Sequence, residues 1–175
     1  YDEAQDCPAM GDVDNDGDLD LFIAARGEGR RSRLYVNDGG GRFMDMTWIA
    51  GMAVEGARGC AFADYDGDGD LDLFINGEGG GLFENSGNGN RWIGFRLRGA
   101  SCNGSGIGAR VTIDAGGRSM VREVRGGRGC CQDDMALHFC LGLYKGKVDV
   151  SILWPNGKSA YVTNLRTDRY HTIEE

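Results

Sequence analysis

A chain of 175 residues suffices for one domain or two small ones, and a formal charge of -8, from 19 basic and 27 acidic residues, leaves no basic stripe for nucleic acid. Glycine supplies 31 residues and proline 2, which fits a turn-rich all-β chain. No apolar run approaches the roughly 18–20 residues a membrane-spanning helix requires, and no signal-peptide pattern is visible from Tyr1 onward, which a mature secreted chain would already have lost.

In chain order, the segment from Tyr1 to Cys7 leads into an acidic loop and is expected to lack a partner strand in its own repeat. Asp12, Asp14, Asp16, Asp18 and Asp20 fall in that loop, and Asp64, Asp66, Asp68, Asp70 and Asp72 repeat them 52 residues later. No Lys or Arg lies inside either window, so these carboxylates repel one another and oppose folding unless a cation is present. Two bound divalent cations would halve the formal charge.

The spacing reads as two Ca²⁺ loops. A hard cation takes about six to eight oxygens, and alternate residues of a curled loop can supply them. Asp12, Asp14, Asp16 and Asp20 are expected to offer carboxylates, Asp18 a backbone carbonyl, and Gly17 the sharp turn. Asp64, Asp66, Asp68 and Asp72, with Asp70 and Gly69, repeat the set. An EF-hand needs a Glu at the twelfth position, where Ile23 and Ile75 stand, and the Leu-Asp-Leu-Phe-Ile that closes each loop predicts a strand. Mg²⁺ fits poorly because it resists losing its water to an all-protein cage.

Each loop is followed by a Gly-rich turn and a short apolar strand ending in Asn, Leu34–Asn37 and then Leu82–Asn85. A period near 50 built of short strands predicts propeller blades or similar stacked β units. Beyond residue 90 the acidic loops stop and period-2 stripes take over: Ile93, Phe95, Leu97; Ala109, Val111, Ile113, Ala115; Val148, Val150, Ile152, Trp154. The expected fold is all-β, with calcium repeats over 1–90 packed with an antiparallel β-sandwich-like domain over 91–175. Only 46–54 and 133–139 offer a turn or two of helix.

Cys7, Cys60, Cys102, Cys130, Cys131 and Cys140 show no zinc spacing, and their even number favours disulfides in an oxidising compartment. Cys7 and Cys60 precede the two loops at similar distances, so a bond between them is the preferred pairing. Cys130 and Cys131 bridge each other only with strain. Asn103-Gly104-Ser105 is a glycan acceptor sequence. Trp48, Trp92 and Tyr170 are candidate sugar platforms. His138 and His171 are the two histidines, and His138 is expected to pack in an apolar strand; no nucleophile elbow, HExxH or Walker loop is present, so no catalytic activity is expected.

The loops followed by Leu-Asp-Leu-Phe resemble the FG-GAP/VCBS-type calcium repeats of integrin-like β-propellers. Gly106–Val111, Leu137–Gly142 and Trp154–Lys158 resemble segments of the ASPIC/UnbV-type domain that follows such repeats in cartilage acidic protein-like chains. The resemblance implies a secreted, calcium-binding, non-catalytic protein. Two features depart from it. Cys140 replaces the central glycine of a His-Phe-Gly-Leu-Gly pattern, which suggests an unusual disulfide, and two repeats fall short of the about seven blades of a closed propeller. The expected role is an extracellular structural protein that adds copies of itself head to tail through strand edges, into a filament or surface layer. The alternative is a monomeric adhesion module that binds glycans or protein.

Overall fold

The computed structural model describes residues 6–127 and 134–175. These residues form two compact units, one built on residues up to Asn88 and one on Gly89–Gly126 with Asp134–Glu175. Among the described residues there is no helix, and all regular structure is β.

In the first unit, β1 (Cys7–Gly11), β2 (Asp20–Ala24), β3 (Arg33–Asn37) and β4 (Phe43–Asp45) run in chain order as a four-stranded antiparallel sheet. A second antiparallel sheet repeats the order with three strands, β5 (Ala57–Ala63), β6 (Asp72–Gly77) and β7 (Gly81–Phe83). Each acidic loop therefore joins the first two strands of a blade-like sheet. Alternation in β1 and β2 sends Cys7, Ala9, Phe22 and Ala24 inward, where they share one core with Ala57, Cys60, Leu73 and Ile75 of the other sheet. β1 approaches β5 so closely that a Cβ on Gly11 would lie 2.6 Å from the Phe62 ring, so only glycine fits there.

One expectation needs correcting here. Cys7 does not lack a partner strand: it opens β1 and pairs with Ala24 of β2. Residues 46–54 hold one turn, within the turn or two expected there: the Ala50 N–H donates to the Met46 carbonyl at 2.9 Å and the Met52 N–H to the Thr47 carbonyl at 2.8 Å. Residues 1–5 lie outside the described part.

The second unit holds β8 (Arg91–Arg98), β9 (Arg110–Ala115), β10 (Arg118–Glu123), β11 (Leu137–Gly142), β12 (Val148–Leu153), β13 (Ser159–Leu165) and β14 (Tyr170–Glu174). One sheet has the order β10-β9-β12-β13, the other β11-β8-β14. All three stripes point into a single core between them, where Phe95 and Phe139 meet edge to face at 5.7 Å. This is a β-sandwich. It departs from the expected antiparallel plan in one pair, since β14 runs parallel to β8. The helix expected over 133–139 is replaced by β11 in its described part, because Leu137, Phe139 and Leu141 alternate into the core at period 2.

Candidate metal centre

Both acidic loops fold by the same local rules. Asn15 and Gly67 hold equivalent positions with φ of 54° and 82°, and Gly17 and Gly69 follow with φ of 98° and 96°. These left-handed residues curl the chain around its own carboxylates. In the first loop Asp12 accepts the N–H groups of Asp16 and Gly17, at 3.1 and 2.8 Å. In the second, Asp64 accepts that of Gly67 at 2.8 Å.

The residue that closes each loop is its anchor. Asp20 is fully buried at the head of β2; it accepts the Val13 N–H at 2.7 Å on one oxygen and the Asn37 N–H at 2.8 Å on the other. Asp72 repeats this with Tyr65 and Asn85, at 2.9 and 2.8 Å. Asn37, the last residue of β3, and Asn85, two residues beyond the end of β7 (which stops at Phe83, short of the expected Asn85), thus tie these strands back to their loops.

One carboxylate oxygen from each of Asp12, Asp14 and Asp20 lies within 4.8 Å of the other two, and the same holds for Asp64, Asp66 and Asp72. An ion of calcium size, with ligands at about 2.3–2.6 Å, spaces opposite oxygens by about 4.6–5.2 Å. All-oxygen donors of this span fit a hard cation, and each cluster could hold a metal ion. The remaining expected residues are placed differently. Asp16 and Asp68 turn a carboxylate oxygen to the N–H two residues on, at 2.8 and 2.9 Å. Asp70 accepts the Asn15 amide from the other loop. Asp18 lies against Gly39, where a Cβ would come within 2.8 Å of its carboxylate.

The electrostatics follow from this crowding. Burial pushes the Asp20 carboxyl up to about 6 against its two N–H donors, and the Asp14 and Asp16 charges add to the rise. Burial, then the Asp16 charge, raises Asp14; burial, then the Asp68 charge, raises Asp70. A divalent cation among these oxygens would reverse that balance.

The loops are also joined to one another. Besides the bond from Asn15 to Asp70, the Asn85 side-chain amide donates to the Val13 carbonyl at 2.7 Å, and that of Asn88 donates to the Asp14 carbonyl. The sequence does not reveal these cross-loop asparagines, because asparagine in a loop reads as an ordinary turn former.

Other candidate residues are placed as follows. Cys60 is a thiol that donates to the Cys7 backbone carbonyl at 3.3 Å and is not bonded to the Cys7 sulfur, which corrects the preferred pairing. Cys102 and Cys140 are also thiols, so the disulfide suggested for Cys140 is not formed; its sulfur lies 3.4 Å from Nδ1 of His138. Cys130 and Cys131 lie outside the described residues. Trp92 is no sugar platform: it is 6% exposed, with rings of His138 and Tyr170 at 5.2 and 5.0 Å. Trp48 is 70% exposed, with the Arg31 guanidinium 5.2 Å from its ring centre. His171 has Nε2 2.8 Å from the Arg166 carbonyl. Asn103 is exposed, but its amide is engaged at both ends, donating to the Ile107 carbonyl at 2.8 Å and accepting the Ile107 N–H at 2.7 Å.

No curated protein matches this chain. Residues 12–75, which hold both acidic loops, match the model of the FG-GAP-like repeat. Residues 99–175 match the model of the ASPIC and UnbV domain, which covers most of the sandwich. The chain therefore carries an FG-GAP-like repeat region followed by a region of ASPIC and UnbV type.

Proposed function

We propose that this chain is a calcium-braced, non-catalytic structural module of an extracellular or cell-surface protein. The observation that carries the reading is the repetition of one carboxylate triad in two successive sheets, with Asn15, Asn85 and Asn88 linking the two loops. One Ca²⁺ in each loop would fix the turn between the first two strands of its sheet and, through these amides, the neighbouring loop as well. The match of residues 12–75 supports a place outside the cell, where such repeats are typical, and calcium there is plentiful. Isothermal titration of chelator-treated protein tests the reading. Two Ca²⁺ per chain are expected, with Mg²⁺ unable to displace them; no binding at either loop would refute it.

A second reading, head-to-tail assembly by strand addition into a filament or surface layer, is favoured by one observation. The second sheet ends at β7 where the first continues to β4, so β7 offers an edge that a strand from another copy could extend. Sedimentation of the calcium-loaded chain at rising concentration separates the two. Growing species support assembly, and a constant monomer supports an adhesion module whose exposed Trp48 meets its ligand.

A further inference from the structure

Loop 99–102 of the sandwich unit is built around an anion that the protein supplies itself. The Glu175 side chain, 1% exposed, follows directly on β14. One carboxylate oxygen accepts three successive backbone N–H groups, those of Ala100, Ser101 and Cys102, at 3.0, 2.8 and 3.0 Å. The other accepts the Ser101 hydroxyl and the Asn156 amide, the latter at 2.5 Å, and lies 3.1 Å from the Lys158 ammonium. The donors are also bonded to one another: Asn156 and Lys158 both donate to the Ser101 hydroxyl oxygen, at 3.1 and 2.7 Å, and the side-chain Oδ1 of Asn156 accepts the Lys158 backbone N–H at 3.1 Å.

Three consecutive N–H groups aimed at one oxygen, with a cation beside the other, form a concavity suited to an oxyanion. We propose that Ala100–Cys102, with Asn156 and Lys158, is a carboxylate-binding site whose resident ligand is the Glu175 side chain, tethered so that it holds β14 along β8. Tethering gives Glu175 a high effective concentration, so a free anion competes only when that side chain is missing. The ligand class is a small carboxylate, since one oxygen is read by backbone donors and the second by hydroxyl, amide and ammonium together. This explains why Trp154-Pro155-Asn156-Gly157-Lys158 carries two polar side chains on a tight turn: both point at the anion.

The experiment is chemical rescue. Glu175→Ala should melt below the unmodified chain, and sodium acetate should raise its melting point saturably where sodium chloride of equal strength does not. The unmodified chain should show no such acetate-specific gain, and Glu175→Ala combined with Ser101→Ala and Lys158→Met should lose it. Should Glu175→Ala fold only when acetate is present, that too supports the site. Glu175→Gln, which keeps the shape, gives a second reading: amide exchange of Tyr170–Glu174 should quicken several-fold. In the Glu175→Ala protein the amide proton resonances of residues 100–102 should move with added acetate. Absence of both acetate rescue and amide shifts, with exchange of β14 unchanged in Glu175→Gln, would overturn the proposal.

Discussion

Asp20 and Asp72 do the same work in two successive sheets: each accepts the N–H of its loop's second residue on one oxygen and that of a repeat-equivalent asparagine, Asn37 or Asn85, on the other. Both are buried at the head of the strand that follows the loop. Each carboxylate is thus turned toward its loop by the backbone, and an ionised carboxylate retains lone pairs beyond those two bonds for a cation.

Asp20→Asn and Asp72→Asn should each remove one Ca²⁺ from the titration stoichiometry and leave the other site measurable. The amide keeps one acceptor oxygen for the backbone but gives up the charge and the second acceptor. Loss of both ions from either single variant would show that the loops bind as one unit; loss of neither would remove these residues from the ligand set.

The pH dependence of the two units should have opposite sign when calcium is chelated. Asp20 has its folded-state pKa raised from 3.8 to about 6, so its contribution is fully present below 3.8 and is lost as pH rises toward 6. Glu175 is held below its ordinary 4.5, first by the Ser101 hydroxyl and further by Asn156, the Ser101 N–H and Lys158. Its contribution is present above 4.5 and lost on further acidification. Amide exchange of β2 and of β14 across this range reports the two separately. Calcium should abolish the first trend, since it favours the ionised carboxylate.

Asn85→Ala should cost more than Asn37→Ala, although the two asparagines are repeat equivalents. The Asn37 amide donates to the Leu19 carbonyl of its own loop at 3.3 Å, whereas the Asn85 amide also reaches Val13 in the other loop at 2.7 Å. Losing that bond should cost about 1 kcal/mol in urea unfolding of the calcium-free protein.

In the sandwich, Val111→Asp and Val150→Asp each place a charge at a position with no exposure, in the middle of the core. Either should destabilise the unit by about 3 kcal/mol or more. Arg110→Ala, at an exposed position on β9, should stay within about 0.5 kcal/mol of the unmodified chain by the same unfolding measurement.

What could be read from the sequence was whatever follows a local period. The stripes through Ile93, Val111 and Val150 alternate at period 2, and every member is buried. The acidic loops repeat every aspartate at a 52-residue offset, so their place ahead of β2 and β6 was visible as well. Relations between distant segments left no such trace. The parallel pairing of β14 with β8 joins residues 76 apart and has no turn to announce it. Glu175 follows an otherwise ordinary strand, and its partners come from two turns, whose backbone N–H groups and Asn156 amide carry no sequence signature of a shared anion. Trp92 reads equally well as exposed or buried until β11 and β14 set His138 and Tyr170 against it.

Thermal unfolding of the intact chain with excess calcium and with excess chelator tests the calcium brace most directly. An ion that binds only the folded chain adds about 2.7 kcal/mol at a hundredfold excess over its Kd, so the melting transition of the repeat unit should rise markedly in calcium. Asp20→Asn combined with Asp72→Asn should melt at one temperature in both conditions. A repeat unit whose melting temperature is the same in calcium and in chelator would contradict the account.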